Sequence, residues 1–391
     1  MNDNARYRPR LYLFIVVLFW IALYVYSPYV ATYGRSLGIA DGFLGVILGS
    51  YGLTQMLFRL PFGIVSDMLR KRKPFVVLGS VLGFAGALGL GLFVHPAWLL
   101  VFRALSGASA ACWVVYSILY TSYFDPAHSA RSIGALNAMS GLGQLLGMLT
   151  GMVVSQRWGE RNTFLVAAGV GLVGMLMAGF CIRENKEIVR QPPSWKDVLQ
   201  VLKNRNLLWV SGLAAISQVM AFGTVNGFTP AFARETLGAQ AWEVGLVAAL
   251  ATLPMVFASY LSAPFTRRFS AKTVVAVGFF INALTCLSIP FCPNMLWLYA
   301  TQLVGGFARG LVFPVLMSQS IQDVPEEKRA TAMGAYQSIY SIGMVLGPTI
   351  LGFISDLVSR TTGFVVVSCF GALGCVLGLL VLGKKQNIRQ A

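Results

Sequence analysis

Twelve apolar runs, each long enough to cross a lipid bilayer, divide this 391-residue chain almost without remainder. They fall at approximately 11–33, 43–64, 75–94, 98–121, 132–154, 163–182, 207–231, 243–264, 273–291, 296–319, 331–354 and 363–383. The hydrocarbon core of a bilayer takes about 20 residues of helix, and only helices and closed barrels satisfy their backbone groups inside it. The chain therefore reads as an all-α integral membrane protein with twelve transmembrane helices. Composition agrees: 11% of the residues are charged, against about a quarter in a soluble domain. The first run follows a basic flank, "MNDNARYRPRLYLF". It is too long for a signal peptide and no small-residue cleavage site follows, so it reads as a retained span.

The links between runs are short, and their charge is lopsided. With the N-terminus placed inside, the outward links hold five basic residues: Arg35, Arg157, Arg161, Arg234 and Arg360. Three more, Arg59, Arg103 and Arg309, lie within spans, and the other 22 of the 30 fall on the inner side. This is the positive-inside pattern. It places both termini in the cytoplasm and the chain in the plasma or inner membrane, and it accounts for the net charge of +16. A nucleic-acid partner would need a basic soluble face, and none is expected. The six cysteines form no CxxC and the two histidines fall in links, so neither a metal site nor a cofactor is expected. There is no Ser/His/Asp set, no HExxH and no P-loop lysine motif, which leaves little for an enzyme or an ATP-driven pump.

The chain also repeats itself. "WLLVFRALSGASAA" (98–111) aligns with "WLYATQLVGGFARG" (297–310) at a shift of 199. "GLGQLLGMLTG" (141–151) aligns with "SIGMVLGPTIL" (341–351), and "SLGIADGFLG" (36–45) with "TLGAQAWEVG" (236–245), at a shift of 200. The expected organisation is an N-terminal six-helix bundle, 1–182, a central cytoplasmic loop, 183–206, and a C-terminal six-helix bundle, 207–391. Parallel pseudo-symmetric halves with a site between them are one architecture of secondary transporters.

Three motifs carry a family resemblance. "GIVSDMLRKRK" (63–73) is similar to a loop 2–3 signature, "RALSGASAA" (103–111) to a span 4 signature, and "GMVLGPTILG" (343–352) to a Gly-rich, Pro-containing motif. On these the chain resembles the major facilitator superfamily over essentially its whole length. In proton-driven drug exporters of that family the third motif lies in span 5. Here the proline version sits in span 11, and span 5 has Met148 where proline would be expected. The resemblance implies that Gly63, Asp67, Arg70, Lys71 and Arg72 form a conformational latch on the cytoplasmic side. An acid suits that place because helix N-termini and arginines both stabilise a carboxylate. The second-half counterpart of Asp67 is Arg267, so the latch is expected to be one-sided. Gly107, Gly143, Gly147, Gly343, Gly347 and Pro348 are expected to serve helix packing and bending.

The arginines within spans are the sharpest site candidates, since arginine at mid-membrane costs about 2.5–3.5 kcal/mol on insertion scales. Arg309 is the deepest and ranks first. Arg59, eight residues before Asp67, leans back into the membrane and ranks second. Arg103 leans toward the nearer surface, could snorkel, and ranks third. All 14 acids fall in links or end turns, so these cations are left to carbonyls, amides, water or an anionic ligand. Asp41 and Glu243, at the starts of spans 2 and 8, are expected to cap their helices. Gln55, Gln302, Asn137, Gln218, Asn226 and Gln337 recur at cavity-facing spacing and complete the expected substrate-binding set. Tyr26, Tyr29 and Tyr33, near the outer end of span 1, read as an interfacial belt. The chain is thus expected to be a monomeric secondary active transporter that moves a small organic solute, with a lean to anions, by alternating access. A coupled proton or counter-anion is left open. The alternative is a proton-coupled multidrug or metabolite efflux antiporter.

Overall fold

Inside a bilayer each apolar run must close its own backbone hydrogen bonds, and helix is what forms. The computed structural model describes residues 8–124, 129–184, 200–325 and 328–390, and the described residues contain no strand. Among the described residues eleven helical stretches are of membrane length, and the longest, Ala241–Phe291, is two helices joined at Ser270, which makes twelve. They are α1 (Pro9–Ser36), α2 (Asp41–Met68), α3 (Lys73–Leu92), α4 (Pro96–Thr121), α5 (Ser129–Trp158), α6 (Glu160–Cys181) and α7 (Arg205–Thr236). They continue as α8 (241–269), α9 (271–291), α10 (Met295–Ile321), α11 (Arg329–Leu357) and α12 (Arg360–Gln390). Most of the central segment expected as a loop, 185–199, lies outside the described residues.

The helices outrun the apolar runs because only the hydrocarbon layer demands apolar side chains. Gly159 alone, at φ 86°, links α5 to α6, and Ser270, at φ 68°, links α8 to α9. Up-and-down threading puts the termini and the even-to-odd links on one face, called here the terminal face. The odd-to-even links form the far face.

Lipid tails are as apolar as leucine, so membrane helices associate by close packing, and small residues set how close. Glycines do this at matched places in the two halves. Gly143 and Gly147 lay α5 against Val17 and Ile21 of α1, while Gly343 and Gly347 lay α11 against Ala215 and Val219 of α7. Gly107 brings α4 onto Tyr51 of α2, and Gly306 brings α10 onto Ala251 of α8. The repeat in the sequence is therefore a repeat of packing seams. Another seam joins the halves: Gly45, Gly49 and Gly52 of α2 meet Pro348, Val345 and Met344 of α11. On the other side α5 meets α8, where Met148 Sδ accepts a hydrogen bond from Thr252 at 3.4 Å.

Among the described residues three helices are interrupted. A 3-10 turn at Ser27–Tyr29 breaks α1, α4 steps at Cys112, and a π-helical turn at Ala221–Phe228 widens α7. Irregular backbone at membrane depth belongs beside a cavity or within protein. The tyrosines expected as an interfacial belt are not one. Tyr26, Tyr29 and Tyr33 are all buried, because the broken end of α1 turns them into the protein. Tyr26 donates to Ser106, Tyr29 donates to the Ala241 carbonyl across the halves, and Tyr33 packs on Phe164.

The seams give a direct expectation. A Cβ on Gly147 would stand 3.0 Å from the Ile21 carbonyl oxygen, whereas Gly169 has nothing within 4 Å. Gly147→Val should lower stability by about 1–3 kcal/mol, the usual cost of overpacking. Gly169→Val should stay within about 0.5 kcal/mol of the parent. Thermal melts of the purified variants check the pair, and equal melting temperatures would contradict the seam.

Candidate functional site

The interruptions of α1 and α7 border a small cavity between the halves, with room for about one water molecule. Its walls are Leu23, Tyr24 and Ser27 of α1, Tyr51 of α2, Arg103 of α4, and Phe222 and Asn226 of α7. The last two come from the π-helical turn, a form often found at functional sites. Ser27 comes from the 3-10 turn opposite.

Arg103 does not snorkel, as the sequence reading allowed. It is 3% exposed. Its guanidinium carbon stands over the Tyr51 ring at 4.5 Å and the Tyr26 ring at 5.8 Å. Aromatic faces attract the cation from within the protein, by about 2 kcal/mol when desolvated, and outweigh the pull of the nearer interface. Its Nε is buried without a hydrogen-bond partner. The repeat pairs Arg103 with Gln302, which is equally buried. The Gln302 amide nitrogen lies 3.2 Å from Thr301 Oγ1, and its Oε1 has no partner.

Arg59 is also buried, and it is engaged. Nη2 donates to Gln55 Oε1 at 2.5 Å, and Nη1 donates across the halves to the Tyr340 hydroxyl at 2.6 Å. Arg59 Nε and the Gln55 amide nitrogen remain without partners. Arg309, 8% exposed, turns from the cavity lining toward α9, with Nη1 beside Gly305 where Thr285 also approaches. Among the remaining candidates Gln218 and Gln337 are half-buried and Asn137 is exposed. The described acids all sit in links or end turns, so no carboxylate shares the depth of these arginines among the described residues.

The far face is sealed by a charge network that crosses between the halves. Arg35 donates to Glu235 with Nε at 3.0 Å and Nη2 at 3.3 Å. Arg360 Nη2 reaches Glu235 at 3.0 Å and Asp41 at 3.0 Å. Asp356 of α11 accepts from the backbone N–H groups of Asp41 at 3.0 Å and Gly42 at 2.7 Å. The cap of α2 thus comes from the other half. Asp41, expected to act as a cap, instead serves as an ion-pair partner for Arg35 and Arg360. Glu243 does cap, in a reciprocal box with Gln240. Arg35 and Glu235 are 200 residues apart, as are Glu160 and Arg360, and each pair has opposite signs. Residues near a two-fold axis meet their own counterparts, so matched charges there would repel and inverted ones bind. The 200-residue shift was the available signal, and the sequence reading applied it to charge only at Asp67 and Arg267.

On the terminal face Asp67 pairs with Arg72 at 3.3 Å, within one half. Arg70 sits in the left-handed region at φ 52°, turning the chain, and Lys71 is exposed. Gly63 packs beside Val114 of α4. The N-terminus of α3 is capped by Glu184, at the end of α6, which accepts from the backbone N–H groups of Arg72 and Lys73.

Twelve helices in two matched halves around a polar cavity define a membrane transporter rather than an enzyme. The chain belongs to the Major Facilitator Superfamily, whose family profile matches residues 12–243 and again 212–390. The inner membrane transport protein YajR of Escherichia coli strain K12 is 23% identical over 350 residues, covering 86% of this chain and 75% of that one. The multidrug resistance protein MdtG of Salmonella arizonae is 25% identical over 366 residues, covering 90% and 88%. The staphylopine export protein of Staphylococcus aureus strain Mu50 is 24% identical over 401 residues, covering 98% and 97%. Among solved structures, a bacterial homolog of the human lysosomal transporter Spinster, inward-facing and unoccupied, superposes with a TM-score of 0.81 at 17% identity over 97% of each chain. The nucleoside transporter NupG gives 0.74 at 14% identity over 95% and 98%.

The far-face seal can be tested by access. Glu235→Gln removes the anion shared by Arg35 and Arg360, a partly exposed junction worth about 0.5–1 kcal/mol. A cysteine at Ser27, in a background without the native cysteines, should then react about two to five times faster with an impermeant maleimide added from the far face. An unchanged rate would show that the network does not hold that face closed.

Proposed function

We propose that this protein is a secondary active transporter that moves a small organic anion across the cell membrane by alternating access. Arg103 carries the proposal. It is a buried cation on the wall of a cavity between the halves, with a free Nε and no carboxylate at its depth among the described residues. A guanidinium at that depth is stabilised by an anionic group, bidentately if the group is a carboxylate or phosphate. Arg59 and Gln55 offer further donors at the seam of α2 and α11.

The basic links make the terminal face cytoplasmic. The segments 1–182 and 207–391 are the two moving bodies, joined by 183–206, and one chain supplies both, so a monomer suffices. In this reading the far face is the closed one, the cavity opens next toward the cytoplasmic side, and Asp67 with Arg72 belongs to the latch that closes that side in the opposite state. The names of MdtG and the staphylopine export protein favour export. They also support the second reading, a proton-coupled multidrug or metabolite efflux antiporter. Buried arginines disfavour cationic cargo. Exchange against a counter-anion needs no titrating carboxylate.

Uptake and efflux assays in proteoliposomes, with and without an imposed pH gradient, decide between the two. Arg103→Gln should cut anion transport at least tenfold, since a charge-assisted hydrogen bond is worth about 1.5–3 kcal/mol. Arg103→Lys should retain part of it. Arg309→Gln, away from the cavity lining, should leave KM within about twofold, as expected of a change outside the site. Full anion transport by Arg103→Gln, at an unchanged melting temperature, would end the anion reading. Transport confined to lipophilic cations would establish the second one.

A further inference from the structure

The walls of the cavity carry more than a charge. Arg103, the Tyr51 ring and the Phe222 ring form a column. The cation stands 4.5 Å from the Tyr51 centroid, and Phe222 stacks on Tyr51 at 6.1 Å with 20° between the planes. The column crosses the cavity from the first half to the second. A second aromatic wall begins at Tyr24. Its ring lies 5.7 Å from Trp20, and Trp20 lies 5.1 Å from Trp113. The Trp20 indole N–H is buried without a partner. The neutral polar groups on the cavity wall are a tyrosine pair, the Ser27 hydroxyl and the Asn226 amide.

Each feature restricts the guest. One guanidinium lines the cavity, while Arg59 is held by Gln55 and Tyr340, so one anionic group is matched and a second would be left uncompensated. Rings on both walls meet a planar aromatic body with offset or edge contacts, worth about 0.5–1.5 kcal/mol beyond the buried area. So few neutral polar groups cannot satisfy the hydroxyls of a sugar, each of which would be costly to bury unpaired. Closed as it is here, the cavity has room for about one water molecule, so a guest enters only as the halves part, and a small planar one needs the least opening.

We infer that the transported anion is a small aromatic monoanion, its charged group on Arg103 and its ring taken up between Tyr24 and Phe222 when the halves part. The inference rests on the anion reading above and narrows it.

Equilibrium binding to the purified full-length protein tests it, followed by quenching of tryptophan fluorescence and by thermal shift. The probes are benzoate and 3-phenylpropionate, their saturated counterparts cyclohexanecarboxylate and 3-cyclohexylpropionate, the neutral benzamide, the cation benzylamine and the dianion phthalate. The aromatic monoanions should bind about two- to tenfold tighter than the saturated acids, the range that aromatic contacts supply. Benzamide, benzylamine and phthalate should bind more weakly than either. Tyr24→Leu and Phe222→Leu should bring the aromatic advantage to within about twofold while leaving the saturated acids unchanged, and Phe222→Tyr should keep it. Arg103→Gln should weaken both classes of acid together. Equal binding of aromatic and saturated acids would overturn the aromatic class and leave the anion reading standing. Benzylamine or benzamide binding as well as benzoate would overturn the anion reading itself. No binding of either aromatic acid at about 10 mM, roughly −2.7 kcal/mol, would also refute the inference.

Discussion

Close approach of helices through glycine is the constraint on which the rest of this structure depends. In lipid there is no hydrophobic gain in bringing two apolar helices together, so their association rests on contact area and on how near the backbones can come. Gly143 and Gly147 set α5 on α1, and Gly343 and Gly347 set α11 on α7, so each half has the same internal frame. Gly45, Gly49 and Gly52 then give the two halves a smooth common face along α2 and α11. Side chains cross that face at its two ends, Arg59 to Tyr340 and Asp356 to the first N–H groups of α2. The cavity lies where that frame is interrupted, at the 3-10 turn of α1 and the π-helical turn of α7.

Pseudo-symmetry shapes the charges as well as the seams. At the far face Arg35 meets Glu235, its counterpart 200 residues on. Inverting the sign between counterparts turns what would be a repulsion on the axis into a bond, and it makes the two halves chemically distinct at a place where they are geometrically alike. Inside the cavity the asymmetry is different. Arg103 has the neutral Gln302 as its counterpart, and Tyr51 has Ala251. The first half therefore supplies the cation and most of the aromatic wall, and the second supplies Phe222 and Asn226. Equal frames thus make unequal contributions, a cation and a ring from one half and a ring and an amide from the other.

Nearly all of the architecture was legible in the chain. Runs of about 20 apolar residues have one solution in a bilayer, and the 200-residue register gives two like halves. The buried cations were legible too, since Arg59, Arg103 and Arg309 stand in apolar runs without acids. Their ranking was not. Depth along a helix follows from counting residues, but the direction of a side chain across the bundle depends on which neighbours offer it a partner. Arg309 is deepest and turns to α9. Arg103 is nearest a surface and turns inward, because Tyr51 and Tyr26 arrive from two other helices to meet it.

The sequence by itself determined that this chain spans a membrane twelve times, in two related halves, with three unpaired arginines inside, because those properties follow from local hydropathy, charge and repetition. Only the tertiary structure decided which arginine lines a cavity, that Asp356 caps α2 from the opposite half, that Glu184 caps α3, and that the tyrosines of α1 face inward. Each of those is a contact between residues tens to hundreds of positions apart. Such contacts are set by helix rotation and by broken turns in α1 and α7, which a few ångströms of packing fix and which local pattern does not encode.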